Sequence, residues 1–398
     1  MVMIMDEVRK LIIFKFLLIV AENSLGYFFL WHLLGIIGLV LTFTLFSINN
    51  YILPHIQLFV SPLIDKYKDI VKLLKIGYIL DIITIISLYP IFLYLVKLKL
   101  LFLTVLLIGI PFSSIIKALE STALDKLFKI LMTDYQRGIY LVRKYELIAL
   151  ATSQILGTLL LALSLFENLT LIVIITLIGL AFLLSVRRVD NEVAQQSYTS
   201  TFKVGFLNII KNNVLKTILI FNIIYSLPGS LINLFIVYLV YYALHLPPVL
   251  IGLLSIIYII GSLVGNKLGY KFSINSKAWM TFLFVLSDVS GISLVFFANE
   301  QLLPIIYVIL FLSRIAGSFV NYYFSYLMYS SIPEETFATS SSIMGSISSV
   351  FDAVFTIISS LIISLISYFW SVLIAVIIFV VLDILLVSSI FKLKKIDH

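Results

Sequence analysis

The sequence predicts an all-α polytopic membrane protein, with twelve transmembrane helices in two pseudo-symmetric six-helix bundles. Three observations lead there. First, 62% of the 398 residues are hydrophobic and only 12% are charged, with a mean hydropathy of +1.16. A soluble domain carries roughly 25% charged residues, so the surplus apolar surface has to face lipid. Second, the apolar runs are continuous and long enough to cross a bilayer as helices; they lack the alternation of a β-barrel. Third, the chain repeats itself about 200 positions on: Ser61-Pro62-Leu63-Ile64-Asp65-Lys66 answers to Gly261-Ser262-Leu263-Val264-Gly265-Asn266, and Thr133-Asp134 to Pro333-Glu334.

Twelve spans follow in order: 11–33, 37–63, 71–95, 100–121, 140–164, 169–187, 214–243, 249–270, 278–298, 302–328, 340–367 and 371–391. The first is longer than a signal-peptide core and is expected to be retained. Placing the N-terminus in the cytoplasm puts the basic loops around Lys66–Lys75, Lys126–Lys144, Arg187–Lys211 and Lys267–Lys277 inside, together with Lys392, Lys394 and Lys395. Only Lys97 and Lys99 then fall outside. This is the positive-inside asymmetry, and both termini are expected to be cytoplasmic in a multi-pass protein of the cell membrane. The net charge of +7 is thereby assigned to the lipid bilayer, and no nucleic-acid partner is expected.

The longest polar stretch, 188–213, is read as a cytoplasmic linker between an N-terminal bundle, 1–187, and a C-terminal bundle, 214–398. Phe202, Phe206, Ile209 and Ile210 recur there at helical spacing, which predicts a short amphipathic helix on the inner membrane surface.

Two six-helix halves, a central linker and inside termini resemble the major facilitator superfamily along essentially the whole chain. The loop after the second span carries the local likeness. The family pattern is Gly-x-Leu-x-Asp-Arg-x-Gly-Arg-Arg, and the chain has Ser61-Pro62-Leu63-Ile64-Asp65-Lys66-Tyr67-Lys68. Leu63 and Asp65 match, Lys66 replaces Arg, and Ser61 and Lys68 stand at the glycines. The resemblance implies a cytoplasmic gate of Ser61, Leu63, Asp65 and Lys66. Asp65 would face the start of the eleventh helix at Ser340, Ser341 and Ser342, and a base such as Lys117 or Lys126. Asp134-Tyr135-Gln136-Arg137-Gly138 and Pro333-Glu334-Glu335 are similar to loops of efflux members, although the fifth span lacks their Gly-Pro element.

Ionisable groups inside spans are costly and tend to face a cavity or a partner. Glu22, Asp81, Asp288, Arg314 and Asp352 lie near mid-depth. Glu22 has no base close in sequence except Lys15, seven residues earlier, and is a candidate for proton coupling or cation recognition. Arg314 and Asp352 lie at similar depth on small or polar helix faces. They can form an ion pair, either as a coupling and substrate site or as a static packing pair. Asp81 and Asp288 are read as structural. Asn49, Asn222, Tyr225, Ser226, Asn233 and Asn321 are candidate cavity-lining residues, with Pro228-Gly229 expected to break the seventh span. Tyr322, Tyr323, Tyr326 and Tyr329 are read as an interfacial belt. The sequon Asn168-Leu169-Thr170 is assigned no role.

No cysteine, His-Glu-x-x-His, Gly-x-Gly-Asp or phosphate-binding loop is present, so neither an enzyme, a cofactor nor a metal is expected. The expected function is secondary transport of a small organic, amphipathic solute by a monomer, coupled to protons in the efflux direction. A facilitator or importer, or a non-transporting receptor or lipid-handling relative, are the alternatives.

Overall fold

The computed structural model describes residues 2–37, 39–91, 99–160, 163–189, 198–238, 248–271, 303–366, 370, 373–378, 380–382 and 384–385. These are helical almost throughout, and the described residues contain no strand. The helices are α1 (Val2–Ile37), α2 (Leu39–Lys66), α3 (Ile70–Pro90), α4 (Lys99–Leu131), α5 (Tyr135–Leu160), α6 (Leu165–Leu184), α7 (Tyr198–Lys211), α8 (Asn213–Tyr238), α9 (Pro248–Lys271), α10 (Leu303–Ser331) and α11 (Phe337–Leu365). By length and apolarity alone, three described segments could each cross a membrane: Phe166–Leu184, Tyr307–Ser331 and Glu334–Ser359. Leu159, Phe166 and Ile357 are each at least 60% exposed, which water would penalise and lipid tails would not.

Local chemistry sets several helix ends. Asp69 caps α3 by accepting from Lys72 N at 3.0 Å. Ser164 and Glu167 form a reciprocal capping box at α6. Ser164's N–H and hydroxyl both donate to Glu167 Oε2, at 2.8 and 2.7 Å. Asn168 is buried, and its amide donates to Leu160 O and Leu163 O. The sequon is therefore closed by packing. The predicted linker helix is α7. It turns by 86° into the next helix, with Asn212 Oδ1 capping Val214 N and Leu215 N.

The helices sort into two compact units. The first comprises 1–134, 148–207 and 332–346; the second comprises 135–147, 208–331 and 347–398. α5 and α11 are thus each shared along their length. In the first unit α1 packs on α6, α2 on α4, and α3 on both α4 and α6. Ala21, Phe28, Ile85, Leu160 and Ile172 form one core there. Tyr78 meets Phe14 edge-on at 4.8 Å and donates to Thr176 O.

In the second unit α9 and α10 form the tightest pair, with α8 against α10 around Phe221, Ile315, Ala316, Phe319 and Tyr323. Gly261, Gly265 and Gly269 make that approach possible. A Cβ on Gly261 would lie 2.6 Å from Phe311 O, and one on Gly265 would run into Ile315 O. This is the small-xxx-small packing of membrane helices. Tyr322 and Tyr323 are 2% and 5% exposed, so they belong to the protein interior rather than to an interfacial belt. α8 runs unbroken past Pro228, which corrects the expected interruption.

Candidate functional site

In the first unit, the last turn of α2 places Asp65 against the start of α11. The carboxylate and Lys126 of α4 are both fully buried, with Nζ 3.1 Å from Oδ1. Ala338 N donates to Oδ1 at 3.2 Å. Thr339 donates to Oδ2 twice, from its N–H at 2.8 Å and its hydroxyl at 2.6 Å. An anion at a helix N-terminus meets unpaired N–H groups and the positive end of the dipole. Lys126 also donates to Glu334 O in the 3-10 turn Glu334–Thr336 that leads into α11. Burial pushes the Asp65 carboxyl up, against the opposing pull of Lys126 and Thr339. Burial likewise lowers Lys129, which lies 5.8 Å over the Phe337 ring.

Two neighbours complete this site. Ser61 is buried and donates to Leu58 O of its own helix, while Leu63 is 57% exposed and Lys66 is half-buried. Gly205 of α7 lies against Thr339, where a Cβ would stand 2.8 Å from its Cγ2, and Gly205 O accepts from Ser340 Oγ. The helix-start donors are therefore Ala338 and Thr339, not Ser340–Ser342, and the base is Lys126, not Lys117.

The second unit contains a neutral counterpart at the start of α5. Asn266 donates to Tyr140 O at 3.2 Å, and Tyr140 stacks on Tyr270 at 4.5 Å. Gln136 donates to Tyr270 O and accepts from the Tyr322 hydroxyl. Arg143 donates to Ser325 Oγ. The residue one place after the missing acid at 265 thus holds the α5 start by amide chemistry. The acid itself is absent because its position is a helix-packing glycine.

Deeper in the first unit, Glu22 of α1 lies 3.4 Å from Lys117 of α4. Glu22 therefore does have a base, supplied by another helix, while Lys15 is engaged with Asp125. Asp81 of α3 and Glu120 of α4 are buried beside this pair, and one carboxylate oxygen from each of Glu22, Asp81 and Glu120 lies within 4.8 Å of the others. Asp81 Oδ2 and both Glu120 oxygens have no hydrogen-bond partner. Sequence reading missed Glu120 and set Asp81 aside. The available signal was the three-residue step from Lys117 to Glu120, which puts both on one face of α4.

In the second unit, Arg314 does not pair with Asp352. Its guanidinium carbon sits 3.6 Å over the Tyr258 ring, and its Nε is buried without a hydrogen bond. Stacking on an aromatic face is well matched to a planar guanidinium. Asp352 is half-buried, and its carbonyl accepts from Thr356. Asn222 and Asn321 are exposed, and their carbonyls accept from Ser226 and Ser325. Tyr225 packs on the Phe221 cluster. The side chains of Asn49 and Asn233, and Asp288 as a whole, lie outside the described residues.

No family model matches the sequence, and no curated protein matches it. Solved structures do. A bacterial homologue of the iron transporter ferroportin, in an outward-facing state, superposes with a TM-score of 0.71 over 96% of this chain and 99% of its own, at 15% identity. This chain has the major facilitator fold. The E. coli fucose:proton symporter matches with a TM-score of 0.68 at 13% identity, covering 97% of this chain and 99% of its own. The human organic anion transporter TETRAN matches at 0.66 and 10% identity, covering 95% and 98%. The all-α class is borne out, and the twelve-helix count is consistent with these neighbours. Identities this low carry the major facilitator fold and nothing about substrate.

Proposed function

We propose that the chain is a secondary active transporter that exports a small organic, amphipathic solute by alternating access, coupled to protons. Its halves would be 1–187 and 214–398, joined by the linker 188–213. The observation that carries this reading is the buried Asp65–Lys126 pair on the first turn of α11. An ion pair shut away from water is a poor source of stability but a good two-state lock, because it is either fully made or, once hydrated, cheaply released. α11 runs from this lock into the residues of the second compact unit.

Glu22, held by Lys117 and still 24% exposed at its side chain, is the proposed proton carrier. Arg314, stacked on Tyr258, is the proposed contact for a polar group of the solute, with Asp352 lining the same half. The loops at Asp134 and Pro333 support the outward direction by their likeness to efflux members. The activities named for these structural neighbours, transport of iron, of fucose with protons and of organic anions, are all solute translocation.

The test is dye transport in everted vesicles energised by a pH gradient, using ethidium and an anionic amphipathic dye side by side. The reading expects protonophore-sensitive accumulation of one dye that Glu22→Gln abolishes. Accumulation unchanged in Glu22→Gln would contradict the coupling, and no gradient-driven movement of any organic solute would contradict the transporter.

A further inference from the structure

We propose that Glu22, Asp81 and Glu120 form a binding site for one hard divalent cation of calcium-like size. The three carboxylates come from α1, α3 and α4, all within the first unit, and each offers an oxygen within 4.8 Å of the other two. Ligand oxygens on opposite sides of a calcium ion are about 4.6–5.2 Å apart, and adjacent ones are closer. The donors are oxygen only, which selects calcium, magnesium or manganese over softer metals.

Two further observations point to a ligand rather than to a chance cluster. Glu120 is 1% exposed, yet neither of its oxygens has a hydrogen-bond partner, and Asp81, 3% exposed, has an orphan Oδ2. Buried polar atoms are almost always satisfied. A proton shared between two of these carboxylates joins only that pair, whereas one coordinated cation engages an oxygen of all three at once. The charges also close. Three carboxylates and the Lys117 ammonium leave two negative charges, which one divalent cation neutralises. Lys117 engages Glu22 Oε1 and leaves its other oxygen available. Room for Glu120 is made by Gly77, where a Cβ would lie 3.2 Å from Glu120 Cγ and 2.8 Å from Leu119 Cδ2. Entry is past Glu22 and Lys117, whose side chains are 24% and 31% exposed. A search by sequence for His and Cys ligands does not reveal such a site, because no two of its residues are neighbours in a short motif.

The site shares Glu22 with the proposed proton coupling, but its test reads equilibrium binding and not transport, so either reading can fail alone. The experiment is equilibrium dialysis of calcium against the purified, chelator-treated full chain in detergent. The expected result is one saturable calcium per chain, with affinity on the order of tenfold or more weaker in Glu120→Gln and in Asp81→Asn, and tighter in Lys117→Met. Lys117→Met, which keeps all three carboxylates, serves if an acid variant fails to fold. No saturable calcium binding by the folded wild type overturns the proposal. So does wild-type affinity in the Asp81→Asn/Glu120→Gln double variant, or weaker binding in a folded Lys117→Met.

Discussion

Thr339 binds Asp65 twice on one oxygen, with its backbone N–H at 2.8 Å and its hydroxyl at 2.6 Å from Oδ2. One carboxylate oxygen thus both caps the start of α11 and accepts the Thr339 hydroxyl. Thr339→Val keeps the N–H and the shape but loses the hydroxyl bond. We expect a loss of about 1.5–3 kcal/mol from the lock, as for a hydrogen bond to a charged group, read as a lower thermal midpoint in detergent. An unchanged midpoint would mean the hydroxyl bond is not formed in the resting protein.

Removing one charge of the Asp65–Lys126 pair leaves the other buried alone. Asp65→Asn and Lys126→Met should each destabilise by about 3–5 kcal/mol, and the double substitution by much less than their sum. Thermal unfolding of the three variants checks this. Additive losses would show that the two residues do not interact.

Gly265 stands where the repeat would place a second acid, but it is pressed on Ile315 O. Gly265→Ala should cost about 1–3 kcal/mol by overpacking, and Gly265→Asp more. A Gly265→Asp protein as stable as wild type would contradict the close approach of α9 and α10.

Arg314 gives a test of function against structure. Arg314→Met removes a buried cation and its stacking on Tyr258 while keeping an apolar stem. We expect little loss of stability, since unpaired buried charge is costly, together with loss of gradient-driven dye transport. A clear fall in the thermal midpoint with transport retained would make Arg314 a packing residue.

Some of this was legible in the sequence for physical reasons. Composition and the apolar period of Phe202, Phe206, Ile209 and Ile210 are local or additive signals, and the chain is helical and α7 lies where they place it. Asp65 was legible because a short loop motif carries it. Its partners were not resolved to the residue, because Lys117 and Lys126 are nine apart on one long helix and only packing decides which faces α2. Glu22 seemed unpaired because its base comes from α4, and the expected pairing of Arg314 with Asp352 rests on similar depth and on small or polar helix faces. Depth places two residues at one level of the bilayer but does not say how their helices are rotated. The repeat sets Gly265 opposite Asp65; only the tertiary contact shows it as a glycine that the helix pair requires.

Alternating access with Asp65 as its lock is tested most directly by thiol labelling, since the chain contains no cysteine and an introduced one is unique. Ser340, fully buried beside Thr339, is the place for it. Ser340→Cys in membrane vesicles should react slowly with a membrane-impermeant maleimide applied to the cytoplasmic face, and adding Asp65→Asn should speed that reaction by at least about tenfold. Equal labelling rates with and without Asp65→Asn would contradict the account.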